Sequence, residues 1–259
     1  MRETKAARPF AILRVVGLAF ALAAPLSAFA AEQAQIPRLL LPPSGPLPAD
    51  GRYLADDQLK FIVDHEGERT RLRFIGGDEI FYLSSEPAPL GGRFLKYDTG
   101  EVALQVTGWG GVTLYTSDDK SGVPAELADD CVDDIEPMPV AGKDLKAFAA
   151  RLSQTMDTAF DFAVGFTADW DDLAGADSEK ERGLAVDAMR NTARAVALIT
   201  VGPKRAAIAE RFHLVRVVEA AQPGLKLQEG TLTISFAPQL GPSARPSSLA
   251  ITKALEAAF

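Results

Sequence analysis

Between Arg52 and Thr116 hydrophobic and polar positions alternate in short runs, QLKFIVDH, RTRLRF, EIFYLSS, GRFLKY, EVALQV and GVTLYT. Turn signals separate them: His65-Glu66-Gly67-Glu68, Gly76-Gly77-Asp78, the proline-containing EPAPLGG, Asp98-Thr99-Gly100 and Gly108-Trp109-Gly110-Gly111. A period of two places alternate side chains on opposite faces of a strand, so Val102, Leu104 and Val106 are expected to face a core, with Ala103 and Gln105 facing water. The spacing predicts a small antiparallel β-sheet, or a partial barrel, over residues 51–117.

Beyond Gly142 the period lengthens. Leu145, Phe148, Ala149, Leu152, Met156, Ala159 and Phe160 fall on one helical face, so KDLKAFAARLSQTMDTAF reads as an amphipathic helix. FDFAVGF reads as a buried strand. A second helix is expected from Ser178, where Ser178 and Glu181 form a capping box, with Leu184, Ala188, Ala195 and Ile199 opposite a polar stripe. Gly202 ends it, and Pro203 opens a third helix, PKRAAIAERFH. The strands LVRVVEA and TLTISFA follow, then a last helix capped by Ser247 or Ser248 that turns Ile251, Leu255, Ala258 and Phe259 inward. Residues 143–259 are therefore an expected α+β domain with about four helices.

The flanking stretches have other compositions. Arg2, Lys5, Arg8 and Arg14 precede an apolar run from Val15 to Pro25, and Ala28 and Ala30 fit an A-x-A site. Residues 1–30 thus read as a secretory signal peptide cleaved after Ala30 or Ala31, the apolar run being short for a membrane span of about 20 residues. Residues 31–50 read as a proline-rich leader, and 118–142, with Asp118, Asp119, Asp129, Asp130, Asp133, Asp134 and Glu136, as an acidic linker. Removing residues 1–30 takes away four basic residues and Glu3, moving the net charge from -8 to -11. That acidity argues against phosphate backbones and anionic lipid as partners.

Chemistry-bearing residues are sparse. The single cysteine, Cys131, cannot form an internal disulfide, and its carboxylate neighbours disfavour a thiolate. Neither histidine, His65 nor His213, sits in a metal-ligand spacing or beside a G-x-S-x-G elbow. ADWDDLAGADSEKE opens like a calcium loop at Asp169 and Asp171. It then carries Ala174 where glycine is needed and Lys180 where glutamate is needed. No catalytic set, metal site or cofactor is expected from these patterns. Two acids such as Asp169 and Asp171 beside an interdomain cleft would be the carboxylate-hydrolase alternative. The candidate binding residues are Trp109, an indole on a glycine-rich turn, and Gly91 and Arg93 near a loop tip.

RYLADDQLKFIVD, APLGGRFLKYDTGE, GGVTLYT and ARPSSLAITKALEAAF together resemble an exported proteobacterial family known as a domain of unknown function. That resemblance implies export, here to the periplasm, and a shared two-part fold, with no activity attached. Residues 52–116 also resemble the small β-barrel of periplasmic inhibitors of c-type lysozyme, whose inhibitory loop Gly91 and Arg93 would match. Leu90 stands where that family has serine, Phe94 where it has tyrosine, and Ala55 where it has cysteine. The functional expectation is a non-enzymatic binding or structural component of the cell envelope, with an envelope protein or glycan as partner.

Overall fold

The computed structural model describes residues 45–56, 59–117, 119–129, 144–175 and 179–259, all of which belong to one compact unit. The signal peptide, residues 31–44 of the leader, Asp118, Cys131, most of the acidic residues expected in the linker and the Ser178 cap lie outside the described residues.

The first half is a closed antiparallel barrel of eight strands in chain order. They are β1 (Gly51–Ala55), β2 (Leu59–Glu66), β3 (Arg69–Phe74), β4 (Phe81–Ala88), β5 (Gly92–Lys96), β6 (Val102–Val106), β7 (Val112–Leu114) and β8 (Val123–Asp129). The small sheet or partial barrel of the sequence reading is thereby corrected. Two strands were hidden, one in the leader side of the opening and one in the acidic stretch. β8 pairs with both β7 and β1, through Val112↔Ala125 and Ala55↔Ala125. Its core-facing side chains are only Ala125 and the partly buried Val123, and Pro124 interrupts the run, so alternation is faint there; a proline near a strand start is tolerated. The barrel is filled rather than hollow: Phe61, Val63, Leu72, Leu95, Leu104 and Leu114 are all fully buried, as eight strands leave room for about one layer of side chains.

One register shift changes which residues face inward. Leu95 pairs with Leu104 but Lys96 pairs with Val102, so Ala103 is the extra residue of a bulge. Ala103 and Leu104 are both buried, while Val102 is only half-buried. The expected inward set of Val102, Leu104 and Val106 therefore loses its first member to the outer wall.

The second half is α1 (Leu145–Phe160), β9 (Gly165–Thr167), α2 (Trp170–Gly175), α3 (Glu179–Thr200), α4 (Arg205–Arg211), β10 (Leu214–Glu219), β11 (Gly224–Gln228), β12 (Thr231–Phe236) and α5 (Ser248–Ala258). Its sheet has the order β11-β12-β10-β9, with β12 and β9 parallel to β10 and β11 antiparallel to β12. The molecule is thus α+β, with five helices among its described residues where about four were expected. The added helix, α2, is one short turn-and-a-half in WDDLAG, which had read as loop. Asp169 holds its start, accepting a hydrogen bond from the Asp172 amide at 3.3 Å. The core of this half joins Met156 from α1 and Met189, Val196 and Ile199 from α3 to Val215, Ile234 and Phe236 of the sheet and Leu255 of α5.

Candidate functional site

In an up-and-down barrel successive turns fall at alternate ends. The turns after β3, β5 and β7 gather at one end, which the second half covers. Those after β2, β4 and β6 gather at the other.

The covered end is held by the buried segment Ala244-Arg245-Pro246-Ser247-Ser248, which leads into α5. Ser247 caps that helix, its hydroxyl oxygen accepting from the Ala250 amide at 3.1 Å, as the sequence had suggested. Two carboxylates of the barrel turns complete the cap. Asp98 accepts from the Ser247 amide at 2.7 Å and its hydroxyl at 2.6 Å. Glu79 accepts from the Ser248 amide at 2.8 Å and from its hydroxyl. Negative charge is favoured there because the first amides of a helix have no partner within it. Burial nevertheless pushes the Glu79 carboxyl above its usual range, against the two Ser248 hydrogen bonds and the nearby Arg194 and Arg245. Arg245 is itself buried, donating to Asp187 at 3.0 Å and to the Ile80 carbonyl at 3.2 Å, and it lies over the Tyr82 ring at 5.6 Å.

Beside this seam lies a groove of about 1080 Å³. Its barrel side begins at the mouth, with Phe74, Phe81 and Tyr97, and continues over the outer wall through Phe94, Val102, Gln105 and Tyr115. Leu249, in the first turn of α5, packs against the barrel core from above. Arg194, Ala197 and Leu198 of α3 form the opposite wall. The mouth aromatics continue a run with one ring on each strand from β1 to β4 and a last one just past β5: Tyr53, Phe61, Phe74, Phe81 and Tyr97, at centroid separations of 5.2 to 6.3 Å. Burial pushes the Tyr97 phenol above its usual range. The polar groups of the groove are mostly engaged already. Arg194 holds Asp78 at 2.7 Å, Lys253 holds Glu101 at 3.3 Å, and the Tyr115 hydroxyl donates to Gln105 at 2.8 Å.

Sequence reasoning missed this groove. The signal was a large apolar residue on the outward phase of the two runs that flank β6, Phe94 in GRFLKY and Tyr115 in GVTLYT, because a wall apolar on both faces needs something to cover it.

The residues singled out from sequence sit at the other end of the barrel. Gly91 and Arg93 flank the β4–β5 turn and Trp109 tips the β6–β7 turn. The two turns touch: a Cβ on Gly108 would lie 2.5 Å from the Leu90 carbonyl oxygen. Trp109 is 77% exposed and Leu90 84% exposed, Leu90 being in the left-handed conformation at φ 57°. The glycine-rich stretch is a hairpin turn, closed by the Thr107 amide on the Gly111 carbonyl at 2.9 Å and by the Gly111 amide on the Thr107 hydroxyl at 2.9 Å. Arg93 is half-buried and anchors the incoming chain, donating to the Gly45 carbonyl at 2.5 Å and to the Ser85 hydroxyl at 3.0 Å. His65 meets Asp50 through Nδ1, and His213 is exposed, its Nδ1 3.3 Å from the Arg211 carbonyl oxygen. Asp169 and Asp171 are exposed at the start of α2 and are not part of the groove lining. Among the described residues no group of three or more His, Cys, Asp or Glu side chains is placed to hold a metal ion, and no helix is long and apolar enough to cross a membrane.

A family model described as "Domain of unknown function (DUF4908)" matches residues 41–255, the barrel and the α+β half together. No curated protein matches the chain, and no solved structure does.

Proposed function

We propose, from the premise that this chain belongs to the DUF4908 family of domains of unknown function, that it is a non-enzymatic binding component of the cell envelope. Its site on this reading is the groove between the barrel mouth and helices α3 and α5, and its ligand is a small molecule with a substantial apolar surface. The observation that carries the reading is the aromatic floor of that 1080 Å³ groove, built from Phe74, Phe81, Phe94 and Tyr97. Ligand sites are concave, mostly apolar and furnished with few polar groups, and barrel mouths are a common place for them. Export, expected from residues 1–30, would deliver the protein to the periplasm; the N-terminal sequence of the protein from a periplasmic fraction should then begin after Ala30 or Ala31.

The direct test uses the uncharged fluorophore N-phenyl-1-naphthylamine. It should brighten on binding at one site per chain, and Phe94→Asp, which places a charge on the groove wall, should abolish the signal while the far-ultraviolet dichroism is unchanged. Absence of any bound dye, or a signal indifferent to Phe94→Asp, would overturn the groove as the site.

A second reading rests on the free barrel end, where Leu90 and Trp109 stand exposed on adjoining turns beside Gly91 and Arg93. On it the ligand is an envelope protein or glycan stacking on the indole. Trp109 fluorescence should then shift on adding that partner, in a protein whose only other tryptophan, Trp170, has been changed to phenylalanine.

A further inference from the structure

Resting on the groove as the binding site, we infer that its ligand is a single-chain amphiphile with an anionic head, the head meeting Lys120 and the apolar body lying along Phe94, Val102 and Leu249. The charges that line the groove leave Lys120 unmatched by any carboxylate among the described residues. Five charged side chains line the groove. Asp78 and Arg194 neutralise one another, Glu101 has Lys253, and Glu79 is capped by Ser248. Lys120 lines the groove too, exposed, and among the described residues no carboxylate pairs with it.

Hydrogen bonds hold the described residues on either side of Lys120. Asp119 donates its amide to the Thr116 hydroxyl at 3.0 Å and spends its carboxylate on the Ser121 amide at 2.9 Å, so that acid is turned back into the turn. Gly122, at φ 84°, ends the turn where a Cβ would lie 2.8 Å from the Tyr115 ring, which packs the loop tightly against the groove wall. Hydrogen bonds within the loop lower the backbone freedom lost on pairing, and the flexible lysine side chain still has its own to lose.

Shape supports the same class. The bulge that turns Val102 outward adds an apolar side chain to the wall between the mouth and Phe94. A groove with an apolar wall and one cation, Lys120, left without a carboxylate among the described residues matches a molecule with one long apolar body and one negative end. A ligand charged at both ends would leave one charge desolvated and unpaired, and a wholly uncharged ligand would leave Lys120 unused.

The test is a titration of the whole protein with 11-(dansylamino)undecanoic acid and, separately, with its methyl ester. The acid should bind at one site, about threefold to tenfold tighter than the ester, because an ion pair at a partly exposed rim is a modest interaction. The difference should shrink on raising salt from 0.05 M to 0.5 M as the charges are screened. Lys120→Glu, a change on an exposed loop, should remove it while leaving ester affinity within twofold. Equal affinities for acid and ester, or a difference that survives Lys120→Glu, would overturn the anionic head and leave the groove reading standing. Failure of both dansyl probes while N-phenyl-1-naphthylamine still binds would likewise overturn only the amphiphile. Failure of all three would remove the groove reading with it.

Discussion

Arg245 satisfies three neighbours at once, the Asp187 carboxylate, the Ile80 carbonyl and the face of Tyr82. It reaches from the loop before α5 to both α3 and the barrel wall. Truncating Arg245 would leave Asp187 only the more distant Arg190, 3.9 Å away, and an under-compensated, largely buried charge costs more than the pair itself contributes. Arg245→Ala should therefore lower stability by about 3 kcal/mol, read as a fall in the urea midpoint without loss of slope. Leu90 is the opposite case. It holds a left-handed conformation while 84% exposed, so the backbone is strained and no packing offsets the strain. Leu90→Gly should raise stability by about 0.5 to 1 kcal/mol, since glycine adopts that region freely. A destabilised Leu90→Gly protein would mean that the leucine makes a contact worth more than its strain. A bulky residue kept where glycine would fit better is what a binding role at that turn would produce.

At the scale of elements, the docking of α5 turns on two carboxylates from the barrel, and one of them titrates abnormally. The folded pKa of Glu79 lies above its ordinary 4.5, chiefly through burial. Between those two values the folded protein holds a proton that the unfolded chain has released. Glu79 therefore contributes most to stability below about pH 4.5, and its contribution falls as pH rises through the folded pKa. Glu79→Gln keeps the shape and cannot ionise, so wild-type stability minus that of the variant should decline with rising pH across this window. Urea midpoints at a series of pH values check the slope, and a difference that grows with pH would refute it. The same elements show what the sequence could disclose. β2 to β7 and the helices α1, α3, α4 and α5 were legible because each repeats a pattern long enough to read, and Ser247 as the α5 cap was legible from local chemistry. β8 was not, because it turns inward only Ala125 and the partly buried Val123. β11 (Gly224–Gln228) was not either, being a half-exposed partner of β12. Glu79 read as the first residue of the strand run EIFYLSS and Asp98 as a turn residue, and only the tertiary fold sets them on a helix start more than 140 residues further along the chain.

For the whole molecule, the sequence suggested two lobes joined by an acidic linker, while the seam joins barrel and helices through Asp98, Glu79, Arg194, Arg245 and Lys253. Helix α5 also places Leu249 against the barrel core, so parting the halves would expose the Phe74, Phe81 and Tyr97 mouth to water. The apolar penalty, at about 25 cal/mol per Å² uncovered, and the loss of two caps together favour one cooperative transition. The chain's composition allows a clean test. All four tyrosines, Tyr53, Tyr82, Tyr97 and Tyr115, lie in the barrel, and Trp170 is in α2. With Trp109→Phe, tyrosine near-ultraviolet dichroism reports the barrel and tryptophan fluorescence reports the helical half. The two urea curves should coincide, as two-state unfolding requires. Adding Asp98→Ala and Arg245→Ala should separate them, because each half keeps its own core while the bonds between them are cut. Curves already separate in the Trp109→Phe protein would show that the seam does not couple the halves, and the groove between them would then be free to open.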